Sequence, residues 1–259
     1  MAYSEALVKK LFQLLKTVAI SAGLATLVPI SLHAQGPPNP VTNEYRVTLF
    51  PYYPLKDNLT GFGYLGYVKD PDSNYTLFYA GWPGFNYQYK KWLQIWVGSL
   101  YIYTDNGMAQ DKLELRPFIG PKFFLPNKRR WNLYNFTRYE SRSIYDHGTH
   151  DWSHINRVRS RFGAEIPITS REKAWKPRTF YAIADVEPFY RFDKDEWDPV
   201  RARVGIGYIT MDQIRIEFIY HYEWARNPND DLEYDKNIFR LNIKFGVKHG
   251  ILGRVLNPD

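Results

Sequence analysis

The segment HINRVRSRFGAEI, residues 154–166, places Arg157, Arg159 and Arg161 at every second position, with Val158, Ser160 and Phe162 between them. Side chains of a β-strand point alternately to opposite faces. As a strand, this segment therefore carries three cations on one face and a largely apolar set on the other. Its neighbours repeat the pattern. Ile214, Ile216, Phe218, Tyr220, Tyr222 and Trp224 alternate with Arg215, Glu217, His221 and Glu223. Phe239, Leu241, Ile243 and Phe245 oppose Arg240, Asn242 and Lys244. Arg201 and Arg203 lie opposite Val200, Ala202 and Val204, Asp185 and Glu187 opposite Ala184 and Val186, and Arg138, Glu140 and Arg142 opposite Leu133 and Tyr139.

Two architectures accommodate such alternation. In a soluble sandwich or lipocalin-like barrel the apolar face packs inward and the charges meet water. In an outer-membrane barrel the polarity is inverted: aromatics face lipid and charges line the lumen. Three features favour the inverted form. The segments are long enough to cross a bilayer at a tilt, which takes about 9–11 residues. Tyr, Trp and Phe gather near strand ends, where interfacial girdles form. The polar face is crowded with Arg and Glu rather than the Lys, Thr and Ser of a solvated sheet.

An Arg facing hydrocarbon at mid-bilayer costs roughly 2–4 kcal/mol, so three in succession are expected to face the lumen. There they need carboxylates, because an unpaired buried charge is expensive. A hairpin centred on DHGTHDWS (146–153) brings Glu140 near Arg159. One centred on TSREKAWKP (169–177) brings Arg161 near Asp185 and Arg159 near Glu187. The expected luminal network comprises Arg138, Glu140, Arg142, Arg157, Arg159, Arg161, Asp185, Glu187, Arg201, Arg203, Arg215 and Glu217. Its cations outnumber its carboxylates, which implies a preference for anions.

The start of the chain points to export. Lys9, Lys10 and Lys16 precede the apolar run TVAISAGLATLVPISL, and small Ala34 stands before polar Gln35. That is the layout of a secretory signal peptide cut after Ala34. Export makes nucleic acid an improbable partner for a chain whose net charge of +7 falls to +5 once Glu5 and those three lysines are removed. With no cysteine in the sequence, a disulfide framework and thiol chemistry are excluded.

The expected fold is all-β: a single antiparallel up-and-down transmembrane β-barrel of about ten strands separated by turn-rich breaks, with twelve as the other count. GFGYLGYV (61–68) stays open between a strand and part of a long loop. The expected organisation is a signal peptide at 1–34, a proline-rich lead-in at 35–43, the barrel at 44–248 and a tail at 249–259. With ten strands and a periplasmic start, DHGTHDWS, KDEWD and NPNDDLEYD fall outside, and TMD, PNKR and TSREKAWKP fall on the periplasmic side. Phe245 stands where such barrels end on an aromatic residue, and the sequence after it implies a small periplasmic extension.

The carboxy-terminal half resembles the bacterial family DUF2490, predicted outer-membrane barrels without an assigned activity. RWNLYNFTRYESR, INRVRSRFGAEI, ADVEPFYRF, DPVRARVGIGYIT, IRIEFIYHYEW and FRLNIKF carry the resemblance, over roughly Arg130 to Val247. It implies arginine-bearing paired strands followed by a strand with inward Glu187, then an Arg-x-x-x-Gly element, here Arg201 and Gly205.

Two clusters invite chemistry. DHGTHDWSH holds Asp146, His147, His150, Asp151 and His154, residue types that ligate zinc or other divalent ions; the alternative is a polar hairpin loop. His221 and Glu223 share a face two residues apart, so a carboxylate stands ready to orient an imidazole for acid–base work. This is the basis for a lipid hydrolase or acyltransferase. The alternative is charge pairing with Arg201 or Arg203. Ser160 falls on the opposite face and no Gly-x-Ser-x-Gly occurs, so a nucleophile is missing. The reading that results is an outer-membrane barrel, structural or narrow and anion-preferring, without a cofactor. Its partners are membrane lipid and, during biogenesis, the barrel-assembly machinery. A lipid-modifying enzyme and a soluble periplasmic ligand-binding barrel are the alternatives, and oligomeric state is open.

Overall fold

The computed structural model describes residues 41–256, apart from 73–74, 107–110, 126–129, 171–172 and 227–231. The expected signal peptide (1–34), the expected lead-in as far as residue 40, and the loop PNKR lie outside the described residues. Eleven strands close into one barrel in chain order. They are β1 (Thr42–Lys56), β2 (Leu59–Asp70), β3 (Tyr75–Lys90), β4 (Leu93–Asp105), β5 (Lys112–Phe124), β6 (Asn132–Asp146), β7 (Asp151–Pro167), β8 (Thr179–Arg191), β9 (Glu196–Met211), β10 (Ile214–Arg226) and β11 (Leu232–Gly246). A short helix, α1 (Ile251–Leu256), follows.

The strand missing from the count of ten is β2, which contains GFGYLGYV. Its glycines weaken the alternation that reveals a strand, yet one of them has a packing reason. A Cβ on Gly66 would fall 2.0 Å from the Tyr79 ring of β3, so the glycine makes room for that ring. The odd count has two consequences. Sequential neighbours pair antiparallel, but β1 closes onto β11 in parallel, from Thr42↔Lys236 to Tyr52↔Gly246. β1 also begins at the rim carrying turns 147–150 and 192–195 (the loop rim), not at the opposite rim as a ten-strand barrel requires. The opposite rim carries turns 57–58, 91–92 and 212–213, together with α1.

Strands run from 12 to 17 residues. At about 3.3 Å per residue and a tilt near 40°, even the shortest rises about 30 Å. Along β10, Arg215, Glu217, His221 and Glu223 are buried while Phe218 is 61 % exposed. On β7, Arg157 and Arg159 are buried and Phe162 is exposed. The outward band of exposed apolar residues includes Val47, Leu65, Phe78, Val97, Ile119, Val186, Val204 and Ile206. Aromatic side chains pair near both rims. Tyr53 stacks on Trp82 and Trp92 on Phe123 at one end; Tyr145 meets Trp152 and Tyr190 meets Trp197 at the other.

The interior has two compartments. Beneath β1 to β5, Phe50, Tyr52, Phe62, Trp96 and Phe118 form an aromatic cluster with Ile251, Leu252, Val255 and Leu256 of α1. The expected tail is thus in part a plug, folded back into the helix rim. Residues 251, 252, 255 and 256 share one face of a helix by spacing, and all four are buried. The terminal carbonyls, which no helix can satisfy internally, accept bonds from interior amides: Gln94 Nε2 donates to Val255 O (3.0 Å) and Asn132 Nδ2 to Leu256 O (2.7 Å). Arg254 ties the helix to the rim by donating to Asp57 O and Thr60 Oγ1.

Candidate functional site

Charged side chains fill the second compartment, chiefly on β5 to β11. Register brings them together. Glu140 on β6 faces Arg157 on β7, and Asp185 and Glu187 on β8 face Arg203 and Arg201 on β9. Glu140, completely buried, lies 2.7 Å from Arg138 Nε, 2.6 Å from Arg157 Nη2 and 3.0 Å from Arg159 Nε. Arg159 reaches on to Glu187 at 3.5 Å, and Arg161 spans Glu187 at 2.9 Å and Asp185 at 3.9 Å. Arg203 holds Asp185 through both Nε (2.6 Å) and Nη2 (2.5 Å). Glu217 takes Lys244, Asn242 and the Tyr181 hydroxyl together. Nearer the loop rim, Arg142 forks onto Glu114 beside Arg116, and Arg201 pairs with Glu223.

Five guanidinium groups, of Arg138, Arg157, Arg159, Arg161 and Arg203, thus share three carboxylates. That ratio leaves donors over. Arg138 Nε and Arg159 Nε approach Glu140 Oε1 off the hydrogen-bonding direction, so both are buried donors held by charge alone. Two further cations have no carboxylate within ion-pair distance among the described residues. Lys122 stands over the rings of Tyr134 (4.5 Å) and Phe124 (4.6 Å). Arg240 donates only to Asn242 Oδ1 and Thr48 Oγ1. These cations, with Lys244, border a cavity of about 150 Å³ whose wall includes Leu256 of α1.

Sequence reasoning placed the arginines of β6 to β9 in this network but omitted Glu114, Arg116 and Lys122 of β5, Glu165 of β7, and the Glu44–Arg46 pair of β1, all on the buried or partly buried face. The signal was present in KLELRPF, where Glu114 and Arg116 alternate with Leu113 and Leu115.

The proposed metal ligands do not converge. Asp146 accepts from the backbone N–H groups of Gly148 and Thr149, which folds the turn. His147 packs edge-on to Tyr145, His150 Nδ1 meets the Tyr145 hydroxyl, and His154 Nδ1 meets Ser143 Oγ. Among the described residues, no group of three His, Asp or Glu side chains is arranged to hold a metal ion. The segment is a hairpin turn whose polar groups bond locally. His221 and Glu223 are both buried, but Glu223 is engaged by Arg201, so it does not orient the imidazole. Neither ring nitrogen of His221 has a hydrogen-bond partner among the described residues, so none of their hydroxyls is hydrogen-bonded to the imidazole. Ser160 instead bonds Thr137 and Asn135 across β6.

Fold and site define a class: a closed β-barrel with exposed apolar and aromatic side chains outside and paired charges buried between the strands. Residues 53–234 match the model of DUF2490, a family of proteins of unknown function, and the chain belongs to that family. No curated protein matches it.

Proposed function

We propose that this chain is an outer-membrane β-barrel whose lumen is narrow, charged and anion-preferring, closed at one end by α1. The observation that carries this reading is the inverted polarity of the strands. Phe218 is 61 % exposed while its neighbour Glu217 is 2 % exposed, and the same inversion recurs around the barrel. Water would penalise that exterior, a band of contiguous apolar area far beyond what soluble monomers expose. Hydrocarbon would not. The aromatic pairs near both rims suit the two interfaces of a bilayer, and the rise of about 30 Å matches its hydrocarbon core. A soluble ligand-binding barrel calls for the opposite arrangement, with its apolar residues enclosed.

Eight strands enclose a space that side chains just fill, and diameter grows with strand number. Here the added room is taken by the guanidinium network and by α1, which argues for a closed or weakly conducting barrel rather than a wide pore. The excess of cations over carboxylates gives the lumen its preference for anions. Fractionation tests the location: the protein should remain in the outer-membrane pellet after alkaline carbonate washing and require detergent for extraction. Recovery in the periplasmic wash would refute the reading.

A further inference from the structure

The cavity beside α1 combines an excess of cations over carboxylates, two cations that make no ion pair among the described residues, and room. We propose that it is a binding site for a small, freely diffusing oxyanion of the phosphate class. This rests on the anion-preferring interior argued above and adds the ligand and its place. Lys122 and Arg240 have no carboxylate partner among the described residues. Both line the cavity, with Lys122 8 % exposed. Arg138 and Arg159, each 7 % exposed, line it too; their Nε–H groups lie 2.7 and 3.0 Å from Glu140 Oε1 without hydrogen-bond alignment. A buried cation held in no ion pair is poorly compensated; Lys122 makes none among the described residues, although Glu165 on the same cavity wall attracts it at longer range.

A cavity of about 150 Å³ has space for several water molecules, and therefore for one tetrahedral oxyanion with part of its hydration. Guanidinium groups offer forked donors matched to phosphate oxygens, and an ammonium adds a point charge. The aromatic wall of Phe50, Trp96 and Phe136 lowers the local dielectric, which strengthens each charge-assisted bond. Glu165 and Glu217 also border the cavity. Lys244 and two neutral donors already occupy Glu217, and Asn132 donates to Glu165. A bound anion would therefore meet the cations first.

The test uses full-length protein in a zwitterionic detergent, titrated with inorganic phosphate and followed by calorimetry and by its thermal unfolding midpoint. Wild type should bind phosphate, and millimolar phosphate should raise the midpoint. Lys122→Met removes a buried cation that makes no ion pair among the described residues. It should keep or raise the midpoint in phosphate-free buffer while weakening phosphate binding at least about tenfold. Arg240→Gln should weaken binding similarly, and heat-modifiable gel migration verifies that each variant is folded. Absence of phosphate binding by folded wild type would overturn the proposal, as would unchanged affinity in both variants. Stabilisation by anionic phospholipid in the micelle but not by inorganic phosphate would overturn it too, pointing to a lipid headgroup. Failure here leaves location untouched: a carbonate-resistant membrane protein that ignores phosphate refutes the site alone.

Discussion

Glu140→Gln is the sharpest perturbation of the buried network. The substitution keeps shape and one acceptor while removing the only negative charge, among the described residues, that Arg138 and Arg157 reach within ion-pair distance. Arg159 would retain Glu187 at 3.5 Å. At contacts of 2.6–3.0 Å and an effective dielectric near 20, each guanidinium gains roughly 6 kcal/mol of Coulomb attraction, partly cancelled by desolvation. Removing one partner from a buried ion pair typically costs about 3–5 kcal/mol, and two arginines are stranded here, so a loss at or above the middle of that range is expected. Urea unfolding of detergent-solubilised protein, read by tryptophan emission and gel migration, measures it. Adding Arg157→Met should recover part of the loss, since it deletes one stranded charge. Lys112→Ala, which breaks a partly exposed pair with Asp146 at the loop rim, should change stability by less than about 1 kcal/mol. A Glu140→Gln protein within about 1 kcal/mol of wild type would refute the reasoning, because a charge buried among three arginines must then be replaceable by a neutral amide.

Two further substitutions test other parts of the barrel. Leu252→Asp puts a carboxylate into the aromatic cluster under α1, where Leu252 is fully buried. The helix should leave its seat, shifting Trp96 emission to the red and raising bilayer conductance above that of wild type; unchanged emission and conductance would show that α1 does not act as a plug. Gly120→Ala should destabilise by about 1–3 kcal/mol or more, because its Cβ would lie 2.1 Å from the Thr137 carbonyl oxygen on β6, a backbone atom with no rotamer to change. An unfolding midpoint equal to wild type would contradict that close approach.

Much of this was legible because β-structure has a period of two. Arg157, Arg159 and Arg161 share a face whatever the register, and the structure turns that face inward. The turn centres put both registers two residues off, since Glu140 lies opposite Arg157 and Asp185 opposite Gly163; the contacts Glu140–Arg159, Arg161–Asp185 and Arg159–Glu187 are nevertheless present, because the long side chains reach diagonally. Two things were harder to read. In β2, Gly61, Gly63 and Gly66 interrupt the side-chain pattern, and missing that strand reversed the rim assigned to the start of the barrel. In α1, six residues are too few for helical periodicity to stand out, and so short a helix is stable only through its packing. That Lys122 makes no ion pair among the described residues was beyond sequence reading altogether: a missing close partner is a property of three dimensions.

Phe218 and Ile219 are adjacent apolar residues on β10, one 61 % and the other 5 % exposed, so hydrophobicity alone does not tell them apart. Single-cysteine variants Phe218→Cys and Ile219→Cys in native membranes can be challenged with a thiol reagent dissolved in the bilayer and with a water-soluble one. Position 218 should react from the lipid phase alone, and position 219 should be protected from the lipid phase. Lipid-phase labelling at 219 with protection at 218, or rapid labelling of 218 by the water-soluble reagent, would contradict an apolar exterior set in hydrocarbon around a charged interior.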